Sequence, residues 1–157
     1  DFKEKPEEPK STLASTACYL LPENTLKRLF NYLDNGGNPD EPGNFIQWLY
    51  KRDKVIGFTF DDYWFDVGSP EAFLDAQDHF QQGNSIEGEC ENCEVGENVR
   101  VMKGAHVKDS QLENVLIFPE TEIKDCTIKN SIIDRDTSLH GIDVNEALIG
   151  EHTKLVC

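Results

Sequence analysis

The second half of this chain of 157 residues repeats its apolar positions with a step of 16 residues. Aliphatic side chains recur at this spacing in three columns, and a fourth column holds only small residues. The columns are Val101, Ile117, Ile133 and Ile149; Val107, Ile123, Leu139 and Leu155; Leu112, Ile128 and Val144; and Ala105, Thr121, Thr137 and Thr153. A step kept in every column predicts stacked, nearly identical coils, because an ordinary β-sandwich would show such spacing only by accident.

Within one period the aliphatic residues are six, five and five residues apart, which indicates a triangular coil with three short faces. This pattern is typical of the left-handed parallel β-helix built from hexapeptide-type repeats. Val95 and Val101 extend it upstream, so about four coils fit between residues 86 and 157. We therefore predict a β-helix domain over residues 85–157. Since nothing after Leu155 caps the last coil, we also expect a homo-oligomer formed through the solenoid.

Residues 1–84 have a different character, with helical periodicity and frequent proline and glycine. The spacing predicts an amphipathic helix over residues 23–34, carrying Leu26, Leu29, Phe30 and Leu33 on one face. A second short helix is expected around Phe45, Trp48 and Leu49, and a third opens at Ser69 and Pro70.

Between these helices, Ile56, Phe58 and Phe60 alternate with smaller residues, which predicts a strand, and residues 63–67 form a second extended segment. Helices and strands in this order indicate an α/β domain.

The chain has 30 acidic and 15 basic side chains, and its formal net charge is −15. This balance argues against binding of nucleic acid through phosphate neutralisation, and it disfavours anionic membranes. No run approaches the roughly 18 apolar residues of a membrane span, and the N-terminus lacks the pattern of a signal peptide. Of the five cysteines, only Cys90 and Cys93 are closely spaced, which favours free thiols and a cytoplasmic location over a zinc site.

Two short motifs in residues 1–84 carry chemically useful side chains. Glu4 and Lys5 place an acid beside a base, directly before Pro6. Asp66 follows an aromatic segment and precedes a glycine and a helix start, a position where ligands bind in α/β folds, although such an aspartate also serves to cap a turn. The acidic loop 40–44 has no decisive pattern.

In their order along the chain, these motifs resemble the C-terminal part of the sugar-phosphate nucleotidyltransferases, the NDP-sugar pyrophosphorylases. The segments that carry the resemblance are Glu4-Lys5-Pro6, Ala17–Leu21, Phe45–Leu49 and Tyr63–Glu71, with Ala76 downstream. The glucose-1-phosphate thymidylyltransferase and mannose-1-phosphate guanylyltransferase branches are the most similar, and many members continue into a left-handed β-helix. The resemblance implies that residues 1–84 are the C-terminal portion of a Rossmann-like α/β catalytic domain.

The resemblance also implies roles for three side chains. Lys5 would contact the phosphate of a sugar 1-phosphate, Glu4 would contact the sugar hydroxyls, and Asp66 would hold the catalytic Mg²⁺. In the reaction, an oxygen of the sugar phosphate attacks the α-phosphate of an NTP and releases pyrophosphate. Mg²⁺ and a few local cations would let an acidic chain bind these anionic substrates.

The family's glycine-rich phosphate loop, G-x-G-x-R-x-x-P, does not occur in these residues. We therefore expect the 157-residue chain alone to be inactive, and the sequence identifies neither the nucleotide nor the sugar. Two other functions stay open. One is a hexapeptide-repeat acetyltransferase that uses His106, His140 or His152 as a general base, although histidines on a coil face are usually only solvated. The other is a non-catalytic assembly or regulatory module.

Overall fold

The computed structural model describes all 157 residues and divides them into two compact units, residues 1–64 and residues 65–157. The first unit contains the helices α1 (Glu23–Asp34) and α2 (Pro42–Leu49). The second unit contains α3 (Pro70–Gln81) and a series of short strands. None of the three helices combines the length and the apolar content that a membrane span requires.

An aromatic cluster between α1 and α2 forms the core of the first unit. Tyr32 of α1 lies 5.5 Å from Phe45 and 5.6 Å from Trp48, measured between ring centroids. Ile46 and Leu49 complete the buried set. Both predicted helices are therefore confirmed, and Tyr32 packs against two aromatic rings of α2 that also stack on each other.

The apolar face of α1 is only partly covered. Thr25 and Tyr32 are buried and Leu29 is partly buried, whereas Phe30 and Leu33 remain exposed. The periodicity is thus correct for a helix, and the contact with α2 buries the side that carries Tyr32.

The predicted strand around Ile56, Phe58 and Phe60 is not formed. Residues 54–67 lie outside any helix or strand, and Phe58 is 88 % exposed. The alternation of apolar residues is present, but a strand exists only as one member of a hydrogen-bonded ladder. No other strand of the chain pairs with this segment, so it has no ladder to join.

The third helix begins as predicted. Ser69 is its N-cap, and the Ser69 hydroxyl accepts a hydrogen bond from the Ala72 backbone N–H at 3.2 Å. Pro70 occupies the first turn, where no N–H is needed. The helix ends at Gln82, which has the left-handed conformation with φ 54°.

The remaining residues form a parallel β-solenoid of about four turns, as predicted. Its strands are β1 (Ser85–Ile86), β2 (Glu89–Glu91), β3 (Glu94–Val95), β4 (Val99–Val101), β5 (His106–Lys108), β6 (Gln111–Ile117), β7 (Glu122–Lys124), β8 (Thr127–Ile133), β9 (Ser138–His140), β10 (Asp143–Asn145), β11 (Leu148–Ile149) and β12 (Lys154–Val156). All pairs are parallel, and Ile117 pairs with Val101 on one side and with Ile133 on the other. The 16-residue columns are therefore the ladders of the solenoid. Only its first coil departs from that step, since Cys90 pairs with Val107.

The corners of the coils are stabilised by asparagines in the left-handed conformation. Asn98, Asn114 and Asn130 have φ values of 49°, 52° and 48°, which asparagine tolerates better than most residues. Their side chains form an amide ladder, because Asn114 accepts from Asn98 at 2.7 Å and donates to Asn130 at 2.9 Å. At the corner of the small-residue column, Thr121 and Thr137 are buried.

Helix α3 covers one outer face of the solenoid. Leu74 of α3 packs against Leu116 and Ile132, which point outward from the coils. The Gln77 side-chain amide donates to the backbone carbonyl of Asn98 at 3.2 Å. Because of these contacts, the second compact unit includes α3 and begins at Phe65. The sequence placed a domain boundary between residues 84 and 85, which is where β1 starts.

The ladder columns provide a test of the core. Leu139 is 0 % exposed, whereas Leu148, on the outside of the last coil, is 61 % exposed. We expect Leu139→Ala to lower the free energy of unfolding by about 2–5 kcal/mol, and Leu148→Ala to change it by less than about 1 kcal/mol. Chemical denaturation followed by far-UV circular dichroism measures both. Equal losses in the two variants would contradict the inward orientation of the Leu139 column.

Candidate functional site

The segment that carries Glu4 and Lys5 is attached to helix α2. The Glu4 backbone N–H donates to the side-chain oxygen Oε1 of Gln47 at 3.0 Å. The Glu4 carboxylate lies against Gly43, where a Cβ atom would overlap it. Gly43 therefore provides the space for the acid, and Gln47 holds the backbone beside it.

Lys5 is held in a defined position by an ion pair. Its ammonium group Nζ donates to Oε1 of Glu41 at 2.6 Å. This hydrogen bond and the charge of Glu41 raise the pKa of Lys5, and the same hydrogen bond and the charge of Lys5 lower the pKa of Glu41. Lys5 is nevertheless 73 % exposed, so its ammonium group is accessible to a ligand.

Two asparagines fix the carboxylate that holds Lys5. Asn38 and Asn44 donate their side-chain amides to Oε2 of Glu41, at 3.1 Å and 2.8 Å. Glu41 thus accepts from three donors, and its Oε1 stays directed at Lys5. An amide clamp of this kind immobilises the carboxylate, and through it the lysine.

Sequence reasoning did not identify Glu41, Asn44 or Gln47 as part of this site. The acidic loop 40–44 showed no decisive pattern, because its role depends on a segment about 36 residues earlier in the chain. One usable signal was present. Asn38, Glu41 and Asn44 are three residues apart, a spacing that brings side chains together around a helix start.

Asp66 lies in the second unit, directly before α3. Its backbone carbonyl accepts from the Gly68 N–H at 2.8 Å, and its carboxylate is exposed and makes no hydrogen bond to protein. Ser69, not Asp66, caps α3. Asp66 thus lies in a tight turn without capping the helix, and its carboxylate is available to bind a ligand.

The available carboxylate of Asp66 fits Mg²⁺ as a single protein ligand. Mg²⁺ prefers oxygen ligands, and it is often bound through one or two carboxylates together with water and substrate phosphates. No group of three or more His, Cys, Asp or Glu side chains in the 157 residues forms a metal cage. An exposed carboxylate without a protein hydrogen bond, such as that of Asp66, is compatible with a site of this kind.

Two of the three solenoid histidines, His106 and His152, hydrogen-bond to a carboxylate of the neighbouring coil. His106 lies 3.0 Å from the carboxylate of Glu89, and His152 lies 2.6 Å from that of Asp136. The hydrogen bond to Asp136 raises the pKa of His152. Both imidazoles are more than half exposed, which corresponds to solvated side chains on a coil surface.

The role of Glu41 can be tested through the ionisation of Lys5. Glu41→Gln keeps an oxygen acceptor but removes the negative charge, so we expect the pKa of Lys5 to fall. A pH titration of the Lys5 side chain by NMR measures this shift. Glu7→Gln is the matched control, because it removes a nearby charge that has no ion pair with Lys5. An unchanged Lys5 pKa in Glu41→Gln would contradict the ion pair.

Comparison with known proteins assigns the family. The family model described as nucleotidyl transferase matches residues 1–83. Similar proteins include the glucose-1-phosphate adenylyltransferase of Thermomicrobium roseum, which is 38 % identical over 82 residues that cover 48 % of this chain and 18 % of the relative. The adenylyltransferase of Mycoplasma mobile is 37 % identical over 79 residues, covering 48 % of this chain and 21 % of the relative. The adenylyltransferase of Clostridium acetobutylicum is 34 % identical over 90 residues, which cover 55 % of this chain and 24 % of the relative.

The matched segments thus span about a fifth to a quarter of the length of these relatives. No solved structure matches the chain. The family match contains both the Glu4-Lys5 segment and Asp66, and the resemblance read from those motifs is confirmed at the level of the family. Because the match covers more than half of the chain, the chain belongs to the nucleotidyl transferase family.

Proposed function

We propose that this chain supplies the sugar-phosphate half of a nucleotidyl transfer reaction. In this reaction glucose 1-phosphate and a nucleoside triphosphate form an NDP-glucose and pyrophosphate. The observation that carries the proposal is the exposed ammonium group of Lys5, held by Glu41 at 2.6 Å. The names of the relatives favour glucose as the sugar and adenine as the base, whereas the sequence motifs resembled thymidylyl- and guanylyltransferases.

The geometry allows the Lys5 ammonium group to bind a phosphate while it remains hydrogen-bonded to the Glu41 carboxylate. A lysine ammonium has three N–H donors, and Glu41 accepts one of them. The other two remain for oxygens of the sugar phosphate. Glu4, fixed beside it by Gln47, offers acceptors for sugar hydroxyls. Glu41 therefore acts as a positioning residue, which keeps Lys5 charged and limits its rotamers.

The proposed chemistry requires little covalent assistance from these residues. An oxygen of the sugar phosphate attacks the α-phosphorus of the triphosphate, and the bond from that phosphorus to the pyrophosphate oxygen breaks with its electron pair leaving on pyrophosphate. Lys5 neutralises the attacking phosphate and orients it, which is the positioning contribution to catalysis. When bound at Asp66, Mg²⁺ would neutralise charge on the phosphates.

Binding of glucose 1-phosphate to the 157-residue chain tests the role of Lys5. We expect Lys5→Ala to weaken binding at least about tenfold, because a charge-assisted hydrogen bond to phosphate is lost. Isothermal titration calorimetry measures the affinity. Lys10→Ala is the matched control, since it removes an exposed lysine of the same unit. Equal weakening in both variants, or no effect in Lys5→Ala, would overturn the assignment.

We further propose that the solenoid forms a homo-oligomer. Leu148, Leu155 and Val156 of the last coil are exposed, and exposed aliphatic side chains favour contact with a partner surface over contact with water. Analytical ultracentrifugation at micromolar concentration is expected to show an oligomer, and Val156→Asp is expected to shift it towards the monomer. Leu13→Asp, an exposed leucine in the first unit, is the control. A clean monomer for the unsubstituted chain would contradict the proposal.

Together, the two measurements also separate catalysis from assembly. A defined oligomer that does not bind glucose 1-phosphate would favour the non-catalytic assembly module over the enzyme part.

A further inference from the structure

A surface cavity of about 540 Å³, open to solvent, lies in the first unit between the end of α1 and the length of α2. Four carboxamides and two cations supply its polar lining: Asn35, Asn38, Asn44, Gln47, Lys51 and Arg52. No acidic side chain lines it, although the chain has 30 acidic residues and a net charge of −15. The cavity is therefore a local cationic region in an acidic protein.

Several hydrogen-bond donors at this cavity have no protein partner. Gln47 uses its side-chain oxygen to accept from the Glu4 N–H, and its amide N–H groups donate no hydrogen bond to protein. Lys51 forms no ion pair, and its ammonium lies 5.9 Å from the centre of the Tyr50 ring. Unpaired amide and ammonium donors around one cavity match a ligand that carries oxygen acceptors.

Arg52 contributes a rigid cation to the same cavity. Its guanidinium lies 4.4 Å from the centre of the Trp48 ring and donates one N–H to the Trp48 carbonyl at 3.0 Å. The cation–π contact fixes the plane of the guanidinium and leaves its other N–H groups available. A guanidinium held in this way can bind an anionic oxygen with little loss of side-chain entropy.

Compensation of the α2 C-terminus accounts for only part of the positive charge at this cavity. The Ile46 carbonyl accepts from the Tyr50 N–H, and the Leu49 carbonyl accepts from the N–H groups of both Arg52 and Asp53. The Arg52 side chain donates to the Trp48 carbonyl. Lys51 donates to none of these carbonyls, and its ammonium lies over the Tyr50 ring.

We propose that this cavity binds a small hydroxylated anion of the size of a hexose monophosphate. Lys51 and Arg52 would bind the anionic group, and the carboxamides would bind the hydroxyls. Lys5 does not line the cavity, so this site is separate from the sugar-phosphate contact proposed above. The two are nevertheless adjacent in the hydrogen-bond network, because Asn38 and Asn44 line the cavity and also clamp Glu41.

NMR titration of the full chain with glucose 6-phosphate, glucose and inorganic phosphate tests the proposal. We expect saturable shifts of the Trp48 indole and Gln47 amide signals with glucose 6-phosphate, and at least about tenfold weaker binding of glucose and of phosphate, since each offers only part of the chemistry. Lys51→Ala should weaken the binding of glucose 6-phosphate at least tenfold. Lys54→Ala, a nearby lysine outside the cavity, should leave it unchanged.

The outcomes separate this site from the proposed catalytic one. Lys5→Ala is expected to retain the cavity shifts, so a failure of the Lys5 assignment leaves this proposal standing. Absence of saturable shifts at millimolar glucose 6-phosphate would overturn it. Equal weakening by Lys51→Ala and Lys54→Ala would also overturn it, because that result indicates only non-specific attraction to surface charge. Thermal unfolding of each variant establishes that the first unit remains folded.

Discussion

The parallel pairing of each coil with the next is the constraint on which the second unit depends. A single coil cannot bury its three inward aliphatic residues or satisfy its own backbone groups. Stacking does both, since Ile117 is covered by Val101 on one side and Ile133 on the other while their strands exchange hydrogen bonds. The step of 16 residues must then be kept at every corner. The left-handed asparagines occupy these corners, and their amide ladder pairs the buried side chain of Asn98.

The same solenoid gives the second unit its surface for α3. The outward residues Leu116 and Ile132 lie next to inward ones in sequence, and Leu74 of the helix covers them. This contact holds the start of α3 against a rigid support, and Asp66 precedes that start by only a few residues. In the first unit, helix α2 supports the Glu4-Lys5 segment in a similar way, because Gln47 and the Glu41 clamp position that segment. Both groups of family residues therefore depend on neighbouring elements that do not themselves carry the proposed chemistry.

Sequence patterns predicted the solenoid well because its contacts repeat. Each column repeats the same packing contact in successive coils, and the register between the strands follows directly from that repeat. The helices α1 and α3 were also predictable from local signals, the apolar period of α1 and the Ser69 cap of α3. Local signals could not predict which face of α1 is buried or whether Ile56–Phe60 forms a strand, because each depends on which other element packs or pairs with the segment. Tyr32 packs on α2, and the alternating segment finds no strand to pair with.

The sequence by itself determined the stacked-coil architecture, its step and the two short motifs that mark the family. It could do so because repetition and local spacing are properties of the chain read in order. Only the tertiary structure decided that Lys5 is paired with Glu41, that two asparagines clamp this carboxylate, and that the Asp66 carboxylate is unbonded. These features join residues far apart in the chain, or depend on which of two nearby side chains caps a helix. Hydrogen-bond geometry in the folded state selects between such alternatives, and no periodicity in the sequence encodes it.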